Sequence, residues 1–279
     1  MSKTFLIYGG RGWIGSMLVT LLEKQGHVVV LGQKRLEDYY GVREELKNVR
    51  PDFVLNTAGI TGVPNVDWCE SHKSETIMAN TVGITNLVHA CNELDIHVTN
   101  YATGCIYKYD ASHPIGSGFK ETDKPNFRVS AYSNSKVLAE ELLSNYNNVL
   151  ILRLRMPISD DMHPRSLVTK IVKYAKVTDI PNSMTVLSEM LPISIDMTLK
   201  KRCGIYNFTN PGVITHPEIL AMYKQWVDPT KTWQTFTVEE QNAILLTERS
   251  NCELDVSKLL AEYKVYNIHT AVEKILKGK

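Results

Sequence analysis

The sequence contains few cysteines, and their arrangement matches no common structural pattern. The five are odd in number and widely spaced, with no CxxC pair: Cys69, Cys91, Cys105, Cys203 and Cys252. A disulfide framework needs paired cysteines, and a zinc site needs closely spaced ligands. Neither is indicated, so we predict no metal site. Unpaired thiols suit a reducing compartment, so we expect a cytoplasmic protein.

An excess of charge of one sign is also missing. The 279 residues include 31 basic and 30 acidic side chains, a formal net charge of +1, with no long basic run. Nucleic acid is therefore a poor candidate for a partner. No uninterrupted apolar stretch approaches the length of a membrane span, so we expect no membrane association. Hydrophobic residues make up 43% of the chain, which suits a large buried core and argues against disorder.

Short apolar runs alternate with helical patterns through the first half of the chain. Strands are predicted at 4–9, 27–32, 51–59, 97–103 and 148–155. Helices are predicted at 13–26, 74–95 and 130–146. Such alternation indicates βαβ units and a parallel sheet covered on both faces. The predicted fold class is α/β, a Rossmann-like doubly wound parallel sheet with a small C-terminal substrate lobe.

A glycine-rich turn, GGRGWIG, lies between the first predicted strand and the first predicted helix. One glycine permits the tight turn, a second lets backbone N–H groups approach a pyrophosphate, and a third lets the helix pack on the strand. The flanking strand and helix are the context that a dinucleotide site requires. The residues predicted to bind the cofactor are Gly9, Arg11, Gly12, Trp13, Ile14 and Gly15, with Ala58 after the third strand.

The second strand indicates which dinucleotide is bound. NAD-binding proteins usually place a carboxylate at the end of this strand to hold the ribose diol. Here the strand ends in LGQKR, with no acid until Glu37. Arg11 in the glycine turn, with Lys34 or Arg35, can instead bind a 2′-phosphate, although all three also suit a solvated surface. The pattern favours NADPH.

The pattern of the sequence changes after residue 155. A helix is predicted at about 164–175, a strand near 204–209, and helices at 216–227 and 267–278. We therefore predict two domains. An NADP-binding Rossmann domain comprises 1–155 with the further strand near 204–209, and a substrate-binding lobe comprises 156–203 and 210–279.

The segment YSNSK places Tyr132 and Lys136 four residues apart, on one face of a predicted helix. An ammonium group near a phenol favours the phenolate, so we expect Lys136 to lower the pKa of Tyr132 from about 10. The phenol can donate a proton to a carbonyl oxygen as hydride arrives at its carbon. Lys136 can hold the nicotinamide ribose. The spacing is common by chance, but the glycine turn in the same chain makes it a strong indication.

These motifs together resemble the extended short-chain dehydrogenase/reductase family over nearly the whole chain. The family features occur in order: the glycine turn, NTAG at 56–59, Asn80, Thr103 and YSNSK. The resemblance implies that Thr103, Tyr132 and Lys136 surround the C4 carbonyl of a nucleotide sugar. The alternative is that Thr103 caps a helix or turn, Tyr132 is an aromatic residue of the core and Lys136 is a surface cation.

Cys105 lies two residues beyond Thr103, in the turn YATGCIY. Sugar-nucleotide dehydratases of the family carry an acidic residue in this region for proton transfer. A thiol, with an ordinary pKa of about 8.5, acts as a base where nearby positive charge favours the thiolate. A C4 carbonyl acidifies the protons at both C3 and C5, so one thiolate can serve both carbons. The alternative is a small hydrophobe that fills the turn.

Longer segments are similar to the plant-type nucleotide-rhamnose synthase/epimerase-reductases, also found as the C-terminal half of trifunctional UDP-rhamnose synthases. They are PNVDWCESHK, YATGCIYKYD, LRMPIS, DIPNSMTVL and GIYNFTNPG. The resemblance implies 3,5-epimerisation and NADPH-dependent 4-reduction of a UDP- or dTDP-4-keto-6-deoxy-glucose. It pairs Cys105 with Lys170 as the acid on the opposite face, with Lys173 and His163 as alternatives. Asn182 and Arg249 are the candidate substrate-binding residues. Arg249 suits a diphosphate, because an arginine can donate two parallel hydrogen bonds to it.

Two other functions are compatible with the sequence. One is a 4-keto reductase without epimerase activity, in which Cys105 is structural. The other is a non-catalytic NADP-binding regulatory subunit, against which the intact set of Thr103, Tyr132 and Lys136 argues. Family members often dimerise through two long helices, here 74–95 and 130–146, so we expect a homodimer.

Overall fold

The computed structural model describes residues 1–63 and 65–278. Its strands are β1 (Thr4–Tyr8), β2 (Val28–Leu31), β3 (Phe53–Asn56), β4 (His97–Thr103), β5 (Val149–Leu154), β6 (Lys176–Thr178), β7 (Gly204–Asn207) and β8 (Gln234–Phe236). Its first helices are α1 (Trp13–Lys24), α2 (Tyr39–Val49), α3 (Trp68–Ser71), α4 (Lys73–Ile77), a π-helical segment (Met78–Gly83) and α5 (Ile84–Glu93). The remaining helices are α6 (Ala131–Leu143), α7 (Leu167–Ile171), α8 (Leu187–Leu199), α9 (His216–Trp226), α10 (Val238–Ile244), α11 (Ser257–Leu260) and α12 (Ile268–Lys277).

Six strands form one sheet in the order β2-β1-β3-β4-β5-β7. β1 pairs in parallel with both β2 and β3, and β3 pairs in parallel with β4. Every residue of β3 and β5 is buried, as expected for strands covered on both faces. The predicted doubly wound α/β fold is confirmed. After β1 the chain forms β2 on one side of it and then crosses to form β3 on the other side. In such sheets, ligands bind at the carboxyl ends of the strands where the strand order reverses.

The chain divides into two compact units. The first comprises residues 1–106, 127–153 and 191–206, and the second comprises residues 107–126, 154–190 and those from Asn207 onward. Residues 107–126 therefore group with the second unit and residues 191–203 with the first, although the sequence pattern assigns each of these segments to the other domain. The assignment of one domain to the cofactor and one to the substrate stays a prediction.

The first unit has a core on the sheet, formed by residues such as Leu6, Val54 and Val98 of the strands and Leu87 of α5. The second unit has its own apolar cluster, in which α7 and α9 pack with α12. This unit also contains the two-stranded parallel sheet β6-β8.

The strands predicted for the first half of the chain lie within their predicted bounds, but the helix predicted at 74–95 is interrupted. A π-helical segment occupies Met78–Gly83 within it. Such segments are rare and frequently occur at functional sites. No element is predicted for the region of α8, a helix that contains Pro192, a residue that is disfavoured inside helices.

A buried ion pair attaches α6 to the neighbouring strand β5. Arg153 donates to both carboxylate oxygens of Glu140, at 2.8 Å from Nε and 2.6 Å from Nη2. The two side chains are 1% and 8% exposed. A bidentate pair fixes direction as well as distance, so it sets the orientation of α6 on the sheet.

We predict that Glu140→Ala lowers the free energy of unfolding by about 3–5 kcal/mol, because it leaves the Arg153 charge buried without its carboxylate. The neighbouring Glu141 provides a matched control, since its carboxylate pairs with Arg128 at the surface. Glu141→Ala should cost less than about 1 kcal/mol. Chemical denaturation of both variants measures the difference, and equal losses would contradict the structural role of the buried pair.

Candidate cofactor and catalytic site

The glycine turn is packed so closely that its glycines cannot carry side chains. Gly9 has a φ of +76°, and a Cβ there would lie 2.6 Å from the nitrogen of Ala58. A Cβ on Gly15 would lie 2.2 Å from the oxygen of Gly9. Gly12 is the N-cap of α1 and provides no side chain to cover the first N–H groups of the helix. This exposed cradle fits a pyrophosphate.

The residues predicted to distinguish NADP from NAD lie at the end of β2. The Nη2 atom of Arg11 lies 3.5 Å from the side-chain oxygen of Gln33, so Arg11 reaches this strand end from the glycine turn. Lys34 and Arg35 follow in the same exposed segment, and Arg35 forms an ion pair of 2.8 Å with Glu37. The fold therefore brings Arg11 close to the segment that carries the other two cations.

A carboxylate that the sequence pattern does not reveal also lies at this strand end. Glu45 of α2 accepts hydrogen bonds from the backbone N–H of Gln33 at 2.8 Å and of Lys34 at 3.4 Å. It also accepts one from the Tyr8 hydroxyl at 2.7 Å. Burial, reinforced by Glu45, raises the pKa of Tyr8, so the phenol stays a donor. The acid is thus present, but it is engaged in organising the segment from residue 33.

The loop after β3, the π-helical segment and α6 meet at Lys136. A Cβ on Gly59 would lie 3.0 Å from Lys136 Nζ and 3.1 Å from Asn80 Oδ1, so a side chain there would crowd both groups. The amide of Asn80 bonds both backbone groups of Ile60, at 2.8 and 2.9 Å, and reaches Ser135 Oγ at 3.2 Å. Burial lowers the pKa of Lys136 to about 8.

Tyr132 lies at the start of α6, where Ser130 accepts a hydrogen bond from Ser133 N and caps the helix. Tyr132 is 9% exposed, and Lys136 Nζ lies 5.9 Å from its ring centroid. Burial raises the pKa of Tyr132, negative charge on Cys105 raises it further, and a hydrogen bond with Thr103 lowers it. The expected lowering was therefore wrong, because burial, the largest influence on this pKa, disfavours the charged phenolate.

Thr103, Cys105 and Tyr132 lie next to one another. The backbone N–H of Cys105 donates to Thr103 Oγ1 at 3.0 Å, and both residues influence the pKa of Tyr132. The thiol of Cys105 is partly exposed, whereas Cys91 and Cys252 are buried. This arrangement suits proton transfer at a carbonyl and its neighbouring carbon.

A second thiol beside these groups was not foreseen from the sequence. Cys69 is buried, and it interacts electrostatically with Tyr132 and Lys136. Burial raises the pKa of Cys69, which favours the neutral thiol. A neutral thiol adds no net charge beside Tyr132 and Lys136.

Lys170 lies in the second unit, at the end of α7, and is half-buried. Burial lowers its pKa, and the positive charge of Arg165 lowers it further. Lys173 is exposed. His163 accepts the backbone N–H of Arg165 on Nδ1 at 3.1 Å, within its own loop. The predicted role of Lys170 is compatible with its environment and stays a prediction.

The two predicted substrate-binding residues also lie in the second unit. Asn182 is 2% exposed, and its side-chain oxygen accepts from Arg155 and from Cys252 N. Arg249 is half-buried, and its Nη1 donates to the backbone oxygen of Thr247 at 2.9 Å. Asn182 is therefore part of a hydrogen-bonded network within this unit, and the substrate contacts stay predictions.

Across residues 1–63 and 65–278 there is no cluster of three or more histidine, cysteine or acidic side chains that could hold a metal ion. None of the helices described there is long and apolar enough to cross a membrane.

Solved structures show the same fold. The UDP-rhamnose synthase L780 from Acanthamoeba polyphaga mimivirus superposes with a TM-score of 0.97 at 39% identity, covering 100% of both chains. A dTDP-4-dehydrorhamnose reductase from Bacillus anthracis, solved in complex with NADP, has a TM-score of 0.84 at 15% identity, covering 100% of this chain and 99% of that one. At that identity the second likeness concerns the fold alone.

Relatives of similar sequence are named for the epimerase and reductase activities that the motifs indicate. The chain is 54% identical over 265 residues to a bifunctional dTDP-4-dehydrorhamnose 3,5-epimerase/dTDP-4-dehydrorhamnose reductase of Arabidopsis thaliana, covering 94% of this chain and 88% of that protein. It is also 54% identical to the trifunctional UDP-glucose 4,6-dehydratase/UDP-4-keto-6-deoxy-D-glucose 3,5-epimerase/UDP-4-keto-L-rhamnose-reductase RHM2 of the same plant. That match covers 94% of this chain and 40% of the relative.

The family model for the NAD dependent epimerase/dehydratase family matches residues 5–187. Together with these relatives, the match confirms the resemblance indicated by the glycine turn and YSNSK. The chain belongs to the NAD dependent epimerase/dehydratase family.

Proposed function

We propose that this protein is a bifunctional 3,5-epimerase and NADPH-dependent 4-keto reductase. Its substrate is a UDP- or dTDP-4-keto-6-deoxy-D-glucose, and its product is the nucleotide-β-L-rhamnose. The observation that supports this best is the linked set of Thr103, Cys105 and Tyr132, which combines a thiol with a phenol proton donor. The Arabidopsis relative named for both activities adds support.

In the epimerase reaction, the thiolate of Cys105 removes the proton at C3 or C5. The C–H electron pair forms a carbon–carbon double bond to C4, and the C4 oxygen becomes an enolate. Tyr132 and Thr103 stabilise that oxygen by hydrogen bonding. Protonation of the carbon from the opposite face restores the carbonyl and inverts the centre.

The second proton needs its own acid, and we assign it to Lys170. A lysine acts as a better acid near neutral pH when burial lowers its pKa, and burial lowers that of Lys170. Exposed Lys173 lacks this environment. His163 is the other candidate, and mutation separates the two.

In the reduction, bound NADPH supplies the hydride that C4 accepts. Tyr132 donates its phenolic proton to the C4 oxygen, and burial keeps that phenol protonated until the reaction occurs. Lys136 holds the nicotinamide ribose, and its positive charge stabilises the phenolate left behind.

The proposed preference for NADPH depends on the cations near the end of β2. Arg11 reaches this segment, and Lys34 and Arg35 are exposed within it. Glu45, the acid at this strand end, already accepts hydrogen bonds from two backbone N–H groups and the Tyr8 hydroxyl.

We also propose that the protein is a homodimer, since Ile77, Met78 and Leu142 expose apolar surface on the helices expected at its interface. We propose a cytoplasmic location because unpaired thiols suit a reducing compartment.

We predict that Cys105→Ala stops deuterium from entering C3 and C5 in heavy water, while NADPH still binds. Reduction of pre-epimerised 4-keto-rhamnose should continue, because Tyr132 and Lys136 are intact. Lys170→Ala should also block inversion, and His163→Ala should have little effect. Mass spectrometry of the sugar follows the exchange.

Exchange of both protons at the wild-type rate in Cys105→Ala would show that the thiol is structural. A wild-type protein that oxidises NADPH without exchanging these protons would be a reductase alone. Loss of inversion in His163→Ala alone would move the acid to that residue. A wild-type protein that neither exchanges protons nor oxidises NADPH would be a regulatory subunit.

The cofactor preference is tested with Arg35→Asp. We expect kcat/KM with NADPH to fall about tenfold or more while that with NADH is kept, because the change removes a cation and adds repulsion towards a 2′-phosphate. Arg128→Asp is the matched control, since Arg128 is also an exposed arginine paired with a glutamate. Equal wild-type kcat/KM values for the two cofactors would contradict the proposal.

The pKa of Lys136, lowered to about 8 by burial, predicts a pH dependence of cofactor binding. As pH rises through this value, the lysine loses its proton, and with it the positive charge and one donor to the ribose. The Kd for NADPH should therefore rise several-fold between about pH 7 and 9, below the range where an ordinary lysine titrates. Lys136→Met should bind weakly with no such step, and fluorescence titration measures both. A wild-type Kd that is constant across this range would exclude the role of Lys136.

A further inference from the structure

The backbone of Cys105 is held on both sides. Its N–H donates to Thr103 Oγ1 at 3.0 Å, and its carbonyl accepts a hydrogen bond from the Ser133 hydroxyl at 2.7 Å. Ser133 is 2% exposed. Two hydrogen bonds to consecutive peptide groups leave the Cα–Cβ direction of the cysteine little freedom, although the residue lies in a turn.

Ser133 is itself fixed at the start of α6. Its backbone N–H donates to Ser130 Oγ at 3.0 Å in the helix cap. Its sequence neighbour is Tyr132, which lies beside Thr103. The backbone of Cys105 is therefore attached to Thr103, at the end of β4, and through Ser133 to the start of α6.

We propose that Ser133 is a positioning residue for the Cys105 thiol and acts on proton transfer at carbon rather than on reduction. This inference rests on the proposed function and names a residue that controls one of its two half-reactions. Proton abstraction needs the sulfur within contact of C3 and then of C5, and a displacement of 1 Å can cost about a hundredfold in rate. The reduction uses Thr103, Tyr132, Lys136 and the cofactor, but it does not use the thiol. Loss of the Ser133 hydroxyl should therefore affect the two reactions unequally.

The chain contains a matched control two residues along the same helix. Ser135 is also a fully buried serine of α6, and its hydroxyl also donates to a carbonyl, that of Tyr132 at 2.7 Å. It accepts from Asn80 rather than contacting the turn at Cys105. Ser135→Ala therefore removes a similar hydroxyl without releasing the carbonyl of Cys105.

The experiment compares two rates in wild type, Ser133→Ala, Ser133→Thr and Ser135→Ala. One is deuterium entry at C3 and C5 of the 4-keto-6-deoxy-glucose nucleotide, and the other is NADPH oxidation with pre-epimerised 4-keto-rhamnose. In Ser133→Ala the ratio of exchange to reduction should fall about tenfold or more. Ser133→Thr, which keeps a hydroxyl, should restore most of it, and Ser135→Ala should leave the ratio within about twofold of wild type.

Removal of one buried hydroxyl is too small a change to unfold the protein, and the Tm of each variant checks this. An unchanged ratio in Ser133→Ala would overturn the proposal. A loss in Ser133→Thr equal to that in Ser133→Ala would also overturn it, since the hydroxyl would not be the cause.

Alkylation separates this inference from the proposed function. Iodoacetamide modification of Cys105 is measured by peptide mass spectrometry, with exposed Cys203 as the internal reference thiol. If the wild-type protein shows no proton exchange, the epimerase proposal fails. The positioning role then stands if Ser133→Ala alters the Cys105-to-Cys203 rate ratio at least about threefold, and falls if the ratio is unchanged.

Discussion

The attachment of α6 to the sheet is the constraint on which the rest of the site depends. Its buried pair, Arg153 with Glu140, fixes the helix on β5. Tyr132, Ser133 and Lys136 all lie on this helix, so their positions relative to the ends of the strands follow from that one contact. At the start of the helix, Glu70 accepts the backbone N–H of Ala131 at 2.7 Å, where a negative charge also suits the helix dipole.

Burial controls the protonation of the two groups that this helix presents. It raises the pKa of Tyr132 and lowers that of Lys136 to about 8, so in both cases the dry environment disfavours the charged form. A phenol that stays protonated is ready to donate. Under the proposed function, the hydroxyl groups of the nicotinamide ribose would offset the cost of burying this ammonium, and Lys136 would then couple cofactor binding to proton transfer.

The parts of this protein that could be predicted from sequence are those determined locally. The glycine turn is predictable because a tight backbone approach permits no side chain, as the Cβ positions for Gly9 and Gly15 show. The spacing of Tyr132 and Lys136 is predictable because a helix brings every fourth residue onto one face.

The parts that could not be predicted depend on tertiary packing. Glu45 binds Gln33 from a different helix, and no motif in the sequence links the two. The pKa of Tyr132 moves opposite to the expected direction because its burial is a property of the fold. The π-helical segment contains Asn80, which bonds the backbone of Ile60, and an ordinary helical pattern in the sequence does not reveal it.

In both of the proposed reactions, the negative charge develops on the same atom, the C4 oxygen. Removal of a proton from C3 or C5 and addition of hydride to C4 both place negative charge on the C4 oxygen. The proposed function assigns the neighbouring Thr103 and Tyr132 to stabilise that charge in either case. The half-reactions then differ in the group that acts on carbon, the thiolate of Cys105 in one and the cofactor in the other. Because the oxygen site serves both, a change confined to the Cys105 side can alter epimerisation alone. The hydrogen bond from Ser133 to the Cys105 carbonyl lies on that side, so the two chemistries can be adjusted separately within a single site.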